Sequence, residues 1–193
     1  ESPSDSGGNN VYDITVTASD GSLTNSKAVT ITVTNVDDIA PAFTSATTGT
    51  AAENQNQLYT AAANDSVDYT NGTVTYSLKA ATGDVAALSI NSSSGVVTLA
   101  SGNLDYETKS SYSFTVIATD ATGNAREQAV TITVTNVNES PTVTSSSSAT
   151  FAENATGTVY TVTGTDPDAG TTLSYSISGT DASLFDINSS TGV

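Results

Sequence analysis

VTITVTNV at residues 29–36 is the stretch that decides the fold, because it returns letter for letter at residues 130–137, an offset of 101 residues. The segment before it repeats as well, since YDITVTASD at 12–20 corresponds to YSFTVIATD at 112–120. In each copy apolar residues alternate with polar ones, as in a strand with one buried face. A self-similarity of this length is a whole domain and not a solenoid unit.

Shorter matches extend the repeat over the rest of the chain. Ala-Glu-Asn at 52–54 recurs at 152–154, again about one hundred residues later. The 193 residues are therefore predicted to contain the C-terminal part of one repeat (1–37), a complete repeat (38–137) and the N-terminal half of a further repeat (138–193).

The complete repeat is predicted to be a sandwich of strands. The alternating runs around residues 112–116 and 130–134 are joined by turn residues and form a hairpin, and residues 88–90 and 96–99 form a second one. With a further strand near residues 74–78, about seven short strands per hundred residues is typical of a β-sandwich. The sequence thus predicts an all-β fold of antiparallel Greek-key, immunoglobulin-like β-sandwich domains, stacked end to end.

Composition excludes several classes of function. Four Lys and Arg stand against 20 Asp and Glu, a formal net charge of −16, so the field of the protein repels nucleic acid and anionic membrane surfaces. There is no His and no Cys, which excludes Ser-His and Cys-His nucleophile pairs and zinc sites built on those residues. We therefore expect neither an enzyme nor a nucleic-acid partner.

The sequence has no apolar run long enough to span a bilayer and no signal-peptide pattern. We therefore expect no direct membrane insertion and interpret the chain as an excerpt from a longer secreted or cell-surface protein. The absence of Cys means that the domains must be stiffened by something other than disulfides.

Acidic residues recur at fixed places in each repeat. Glu-Asn lies near the first strand, Leu-Asp-Tyr-Glu occupies residues 104–107, and Asp120 ends a late strand in an Ala-x-Asp pattern. Asp-Pro-Asp lies at 166–168, and the linkers read NVDDIAP at 35–41 and NVNESP at 136–141. Together these motifs resemble the cadherin repeat family, and in particular the bacterial and marine-type cadherin-like repeats of giant surface adhesins.

In that family the corresponding motifs bind Ca²⁺ between consecutive domains, so the resemblance implies two sets of metal ligands in this chain. The set near Pro41 comprises Glu1, Asn35, Asp37, Asp38, Glu53, Asp65, Asp68 and Asp120. The set near Pro141 comprises Asp105, Glu107, Asn136, Asn138, Glu139, Glu153, Asp166 and Asp168. The remaining acids are interpreted as surface or turn residues: Asp5, Asp13, Asp84, Glu127, Asp181 and Asp186.

The sequence departs from the family pattern in three places. Asn35 and Asn136 stand where the family's linker opens with Asp, and the second linker is one residue shorter than the first. The Asp-x-Asp loop of the complete repeat is altered, with Asp65 and Asp68 as its nearest equivalents.

Elementary electrostatics supports calcium at these places. Two like charges about 5 Å apart at an effective dielectric constant of 20 repel by roughly 3 kcal/mol, and a divalent cation relieves that repulsion. Ca²⁺ accepts six to eight oxygen ligands in irregular geometry, as several loops can supply, whereas Mg²⁺ demands near-octahedral geometry and keeps its waters. The expected cofactor is therefore Ca²⁺.

Two functions remain open. The chain is either a calcium-rigidified spacer between neighbouring repeats, whose cell-surface or glycan target lies elsewhere in the parent protein, or a module that itself binds a carbohydrate or a like repeat. There is no Trp, and Tyr falls mostly at core periodicity, so the aromatic platform of a sugar binder is not visible. We favour the spacer, in an extracellular or cell-surface setting.

Overall fold

The computed structural model describes residues 9–34, 36–65 and 72–193 and is almost entirely β. Strands β1 (Val11–Ser19) and β2 (Thr24–Thr32) pair with each other in the first segment. Among the described residues between the two linkers nine strands follow: β3 (Ala42–Phe43), β4 (Thr48–Ala52), β5 (Gln57–Thr60), β6 (Ala63–Asn64), β7 (Thr75–Leu78), β8 (Leu88–Ile90), β9 (Val96–Leu99), β10 (Ser111–Thr119) and β11 (Ala125–Thr135).

The last segment carries two short strands, β12 (Thr142–Val143) and β13 (Gly164–Thr165), which pair antiparallel. Single turns of 3₁₀ helix occur at Val85–Ala87 and Ala182–Leu184. In the described part of the chain no helix is long and apolar enough to cross a membrane.

The middle domain is a two-sheet sandwich. One sheet has the strand order β4-β11-β10-β7 and the other has the order β5-β9-β8, while β3 pairs with β6. Strand β4 runs parallel to β11, so the expectation of a purely antiparallel sandwich is wrong for this pair. Since neighbouring parallel strands end at the same edge, β4 carries the chain from the entry linker to the end of the domain at which β11 exits.

The alternation seen in the sequence is the inside-outside pattern of the sandwich. Tyr112, Phe114 and Val116 point into the core from β10, and they lie opposite strand β11, in which Ile132 and Val134 are equally buried. These residues pack against the facing sheet, whose buried members include Leu58, Leu88 and Val97. Burying a side chain of this size contributes about 1.5 to 3 kcal/mol.

The structure repeats itself as the sequence does. The register of β1 with β2 pairs Tyr12 with Ile31, and that of β10 with β11 pairs Tyr112 with Ile132. In the last segment the side-chain oxygen of Asn188 accepts hydrogen bonds from the backbone N–H groups of Ser190 and Thr191. Asn91 of the middle domain forms the same turn, in which its side-chain oxygen accepts from the two residues at the corresponding positions. Equivalent residues therefore occupy equivalent local structures.

Candidate metal centres at the domain junctions

A first group of carboxylates lies where the entry linker meets the middle domain. Oxygens of Asp37, Asp65 and Asp120 all lie within 4.8 Å of one another. Asp65 and Asp120 are 4% and 5% exposed, and each directly follows a strand, β6 and β10 respectively. Linker and loops thus place three acidic side chains together, as the sequence predicted for these three residues.

The turn between β10 and β11 determines the orientation of Asp120. Its Oδ1 accepts hydrogen bonds from the backbone N–H groups of Thr122, Gly123 and Asn124 at 2.9, 2.6 and 2.8 Å, while its Oδ2 accepts one from Nδ2 of Asn124 at 2.9 Å. Burial by itself raises the pKa of Asp120, but the hydrogen bonds from Asn124 and Thr122 outweigh it and lower the pKa below its ordinary value. The carboxylate is therefore held in its charged form.

A second group lies at the opposite end of the same hairpin, where β11 exits. Oxygens of Glu53, Asp105 and Glu107 lie within 4.8 Å of one another. Glu53 is 3% exposed, and each of its oxygens accepts a backbone hydrogen bond of 2.7 Å: Oε2 from Tyr106 and Oε1 from Val137. Glu53 thereby ties the Leu-Asp-Tyr-Glu loop to the exit linker.

Glu53 was expected near Pro41, and this placement is wrong. The residue directly follows β4, whose parallel pairing with β11 brings the backbone N–H of Glu53 to the carbonyl oxygen of Thr135 at 3.1 Å. Glu153, expected near Pro141, is exposed and lies outside the three-carboxylate group there. By the repeat offset Glu153 is the counterpart of Glu53 in the next repeat.

The exit linker is held by further polar contacts. Oε1 of Glu139 accepts a hydrogen bond from Nδ2 of Asn54 at 3.1 Å, and the backbone N–H of Glu139 donates to Oδ2 of Asp168 at 2.8 Å. Asp166 in turn accepts the backbone N–H of Asp168 at 2.9 Å, and Asn136 donates to Glu107 at 2.9 Å. Side chains from both sides of the linker therefore converge on this junction.

The second junction carries the electrostatic signature of crowded acids. Desolvation raises the pKa of Glu107 above its ordinary value, and the negative charges of Glu53, Glu139 and Asp168 raise it further. The two ion pairs within the described residues, Lys79–Glu127 and Lys109–Asp84, involve none of these acids. Hard carboxylate oxygens from several loops are the donor set that Ca²⁺ prefers, so the residues present fit this ion.

The other predicted ligands have varied places. Asp38 is exposed and lies outside the first three-carboxylate group. Asn138 donates from its side chain to the carbonyl oxygen of Glu139 at 3.1 Å. Three predicted ligands lie outside the described residues: Glu1, Asn35 and Asp68.

Two asparagines that contact the linkers, Asn54 and Asn124, were not among the residues that the sequence singled out. Asn54 has a left-handed backbone (φ 65°), and its counterpart Asn154 has the same conformation (φ 64°). Asn adopts this region more readily than most residues do. The recurrence of Glu-Asn in both repeats was the signal that could have identified Asn54.

Comparisons with known proteins found a matching family model and similar proteins. The family model of the cadherin domain matches residues 47–135. The chain is 34% identical over 200 residues to Protocadherin Fat 4 of Homo sapiens and 30% identical over 208 residues to Protein dachsous of Drosophila melanogaster. These alignments cover 96% and 94% of this chain, but it spans only 4% and 6% of the length of those relatives.

Among solved structures, protocadherin gammaB7 EC3-6, described as a cis-dimer, is 27% identical with a TM-score of 0.52. That match covers 94% of this chain and 50% of the other chain. Cadherin domains are extracellular adhesion modules and not enzymes, so the expectations of an extracellular location and of no enzymatic activity are confirmed. Residues 47–135 of this chain are therefore a cadherin domain.

Proposed function

We propose that the chain is a calcium-rigidified extender segment of a secreted or cell-surface adhesion protein, with Ca²⁺ bound at each junction between consecutive domains. The domains would be residues 1–37, 38–137 and 138–193. One observation carries the proposal: three carboxylates lie within 4.8 Å of one another at each end of the β10–β11 hairpin, next to the linker at that end.

At the first junction Asp37, Asp65 and Asp120 would hold the ion. At the second, Glu53, Asp105 and Glu107 would do so, with Glu139 and the Asp166–Asp168 loop supplying ligands from beyond the linker. A bound Ca²⁺ neutralises the repulsion within each group and joins the linker to the domains on both sides. Without the ion only a short linker and a few hydrogen bonds resist hinging.

The placement of the two groups supports a spacer. They lie at opposite ends of a hairpin whose strands contain nine and eleven residues, which span roughly 30 to 37 Å at 3.4 Å per residue. Entry and exit at opposite ends would let consecutive domains stack into a rod. Neighbouring repeats of the same chain are then the direct partners, and any cell-surface or glycan target would lie elsewhere in the parent protein.

Two sequence features support the narrower assignment to bacterial or marine-type repeats of giant adhesins, namely the absence of Cys and the nearly identical strands of successive repeats. The curated relatives named above come from animals. The alternative function is a module that itself binds a carbohydrate or a second copy. Because the related protocadherin structure is described as a cis-dimer, binding to a second copy is the version of this alternative that we would test first.

Calorimetric titration of the chain with Ca²⁺ tests the proposal. We expect binding in the range of about 0.1 to 1 mM that is typical of extracellular modules, with Mg²⁺ binding more weakly. Sedimentation of the same samples separates the alternative, since a spacer stays monomeric with and without the ion. The metal sites would be refuted if the titration showed no heat of calcium binding and if calcium did not slow proteolysis at the linkers.

A further inference from the structure

The entry linker is held to the middle domain by a side chain that is not a carboxylate. Nδ2 of Asn124 donates to the main-chain oxygen of Asp37 at 3.0 Å and to Oδ2 of Asp120 at 2.9 Å. The same amide contacts Oγ1 of Thr122 at 2.9 Å. One neutral donor at the hairpin tip thus contacts both the linker and a proposed ligand.

The position of Asn124 is fixed by its own turn. Its backbone N–H donates to Oδ1 of Asp120 at 2.8 Å, and its carbonyl oxygen accepts the backbone N–H of Asp120 at 3.1 Å. Because the side chain starts from a constrained backbone, little conformational entropy remains to be lost when its amide meets the linker. The contact is therefore prepared by the hairpin itself.

At the second junction the amide of Asn54 contacts a carboxylate of the linker, Oε1 of Glu139 at 3.1 Å, and not its main chain. There the linker N–H groups of Val137 and Glu139 donate to carboxylates of Glu53 and Asp168, which belong to the crowded acidic group itself. Those contacts come from groups that repel one another when no cation is present. An amide carries no charge, so the hydrogen bond of Asn124 with Asp37 adds nothing to the repulsion at the first junction.

The hairpin of the preceding repeat lacks this donor. The carbonyl oxygen that accepts the backbone N–H of Asp20 belongs to Leu23, just as that of Asn124 accepts from Asp120. Leu23 therefore occupies the equivalent place, before the second strand of its hairpin, and its side chain is 74% exposed and cannot donate. The amide is thus present at the hairpin tip of the middle domain and absent from that of the preceding repeat, whose turn is one residue shorter.

We infer that Asn124 is a positioning residue, which clamps the entry linker onto the middle domain before any ion arrives and so keeps Asp37 beside Asp120. The expected effect on calcium affinity rests on the proposed function, whereas the expected effect on the order of the linker does not. The clamp itself requires only the hydrogen bonds that Asn124 makes with Asp37 and Asp120. In the absence of calcium the entry linker should be more ordered with these hydrogen bonds than without them.

Backbone dynamics measured by NMR in a chelator test the clamp. The amides of Val36, Asp37 and Asp38 should be ordered in the parent chain, with order parameters near 0.85, and should fall below about 0.6 in Asn124→Ala. Asn124→Leu supplies a second variant that places the residue of the preceding hairpin at this site. If either variant folds and keeps the linker as ordered as in the parent, or if the parent linker is itself mobile, the clamp is wrong.

Asn103→Ala is the matched control, because Asn103 also donates its amide to a main-chain oxygen, that of Asn54 at 3.1 Å, but at the other end of the domain. It should leave the order of residues 36–38 unchanged. A calcium titration followed by the chemical shifts of the amides should show that Asn124→Ala lowers calcium affinity at the first junction about fivefold, which corresponds to the loss of roughly one hydrogen bond. Calcium affinity at the second junction should stay unchanged. If calcium shifts no junction amide even in the parent, the proposed function fails, while the measurement in chelator still decides on the clamp.

Discussion

Glu53 and Val137 are joined by a hydrogen bond of 2.7 Å, in which the N–H of the linker residue donates to a carboxylate 84 positions earlier in the chain. The other oxygen of that carboxylate accepts from Tyr106 at 2.7 Å. A buried side chain in the loop after β4 thereby connects three segments that meet only at the exit of the domain. Its replacement should affect the second junction and not the first.

Glu53→Gln is expected to weaken calcium binding at the second junction and to lower the melting temperature. Gln has the same shape but presents an NH₂ group to one of the two backbone donors, and each lost hydrogen bond to a charged group is worth about 1.5 to 3 kcal/mol. Calorimetric titration and thermal unfolding would measure the two effects separately, since the loss of stability should persist in chelator.

Glu153→Gln is the control, because Glu153 occupies the same repeat position one domain later and is exposed. It removes the same charge, so a general relief of the net charge of −16 would make the two variants alike. Equal behaviour of Glu53→Gln and Glu153→Gln would contradict the assignment of Glu53 to this junction.

Calcium should raise the melting temperature more than a monovalent salt at matched ionic strength, because coordination adds to screening. For sites of about 0.1 to 1 mM affinity, roughly 10 mM calcium contributes about 1.4 to 2.7 kcal/mol per site. Differential scanning calorimetry in calcium, in NaCl and in chelator provides the comparison. Identical transitions in calcium and chelator would eliminate the metal sites.

The absence of a side chain at Gly72 should be needed for calcium binding at the first junction, because it leaves room for the carboxylate of Asp65. A Cβ placed on Gly72 would lie only 2.9 Å from Cγ of Asp65, so any side chain at residue 72 displaces that carboxylate. Because the obstructed group is the end of a side chain, Gly72→Ala should change ion-free stability little and lower calcium affinity about fivefold to tenfold, or roughly 1 to 1.4 kcal/mol.

A double-mutant cycle shows whether this effect passes through Asp65. Asp65→Ala should weaken calcium binding by itself, and Gly72→Ala should then add nothing, since the group it displaces is gone. If Gly72→Ala costs the same affinity in both backgrounds, it acts on the fold and not on the ligand. If Asp65→Ala leaves calcium affinity intact, Asp65 is not a ligand.

The sequence predicted the strands of the middle domain well because their alternation is a local signal. Phe114 and Val130 are buried partners in the hairpin that their spacing indicated. The parallel pairing of β4 with β11 was not predictable in this way, since it joins segments about 80 residues apart and depends on how the sheet closes. Local periodicity indicates which face of a strand is buried, but it does not indicate which strand lies beside it or in which direction that strand runs.

The same limit explains the error in the site. Period and motif show that Glu53 and Glu153 are equivalent, but they do not tell at which end of a domain the residue lies. Glu53 is near the entry linker in sequence, yet β4 runs beside the last five residues of β11 and carries the chain to the exit end before reaching it. By contrast, Asp37 and Asp120 were placed correctly, because the former lies in the linker and the latter at the tip of a hairpin visible in the sequence.

Asp84, interpreted from the sequence as a surface or turn residue, connects the 3₁₀ turn at Val85–Ala87 to β10. Its Oδ2 accepts the backbone N–H of Ser113 at 2.8 Å, and its Oδ1 lies 3.0 Å from the ammonium of Lys109. Burial by itself raises the pKa of Asp84, but the Ser113 hydrogen bond and the Lys109 charge outweigh it, so the pKa lies below its ordinary value.

This lowered pKa gives a signed pH dependence. A carboxyl whose pKa is lower in the folded than in the unfolded chain stabilises the fold above its unfolded pKa, and that contribution is lost as the pH falls through the folded pKa. Asp84→Asn should therefore cost about 1 kcal/mol near pH 7, and the difference from the parent should vanish in strong acid. Denaturant unfolding in chelator between about pH 7 and pH 2 would measure it.

Asp181→Asn is the matched control for this prediction. Asp181 precedes the 3₁₀ turn at Ala182–Leu184 as Asp84 precedes its own, but within the described residues its side chain makes no capping hydrogen bond, and no ion pair joins it to a Lys. Both substitutions remove one negative charge from a strongly acidic protein, so relief of repulsion acts on both in the same direction. A pH-dependent loss of stability in Asp84→Asn alone would show that position, and not charge, determines the effect, whereas parallel curves for the two variants would mean that Asp84 does not anchor the turn.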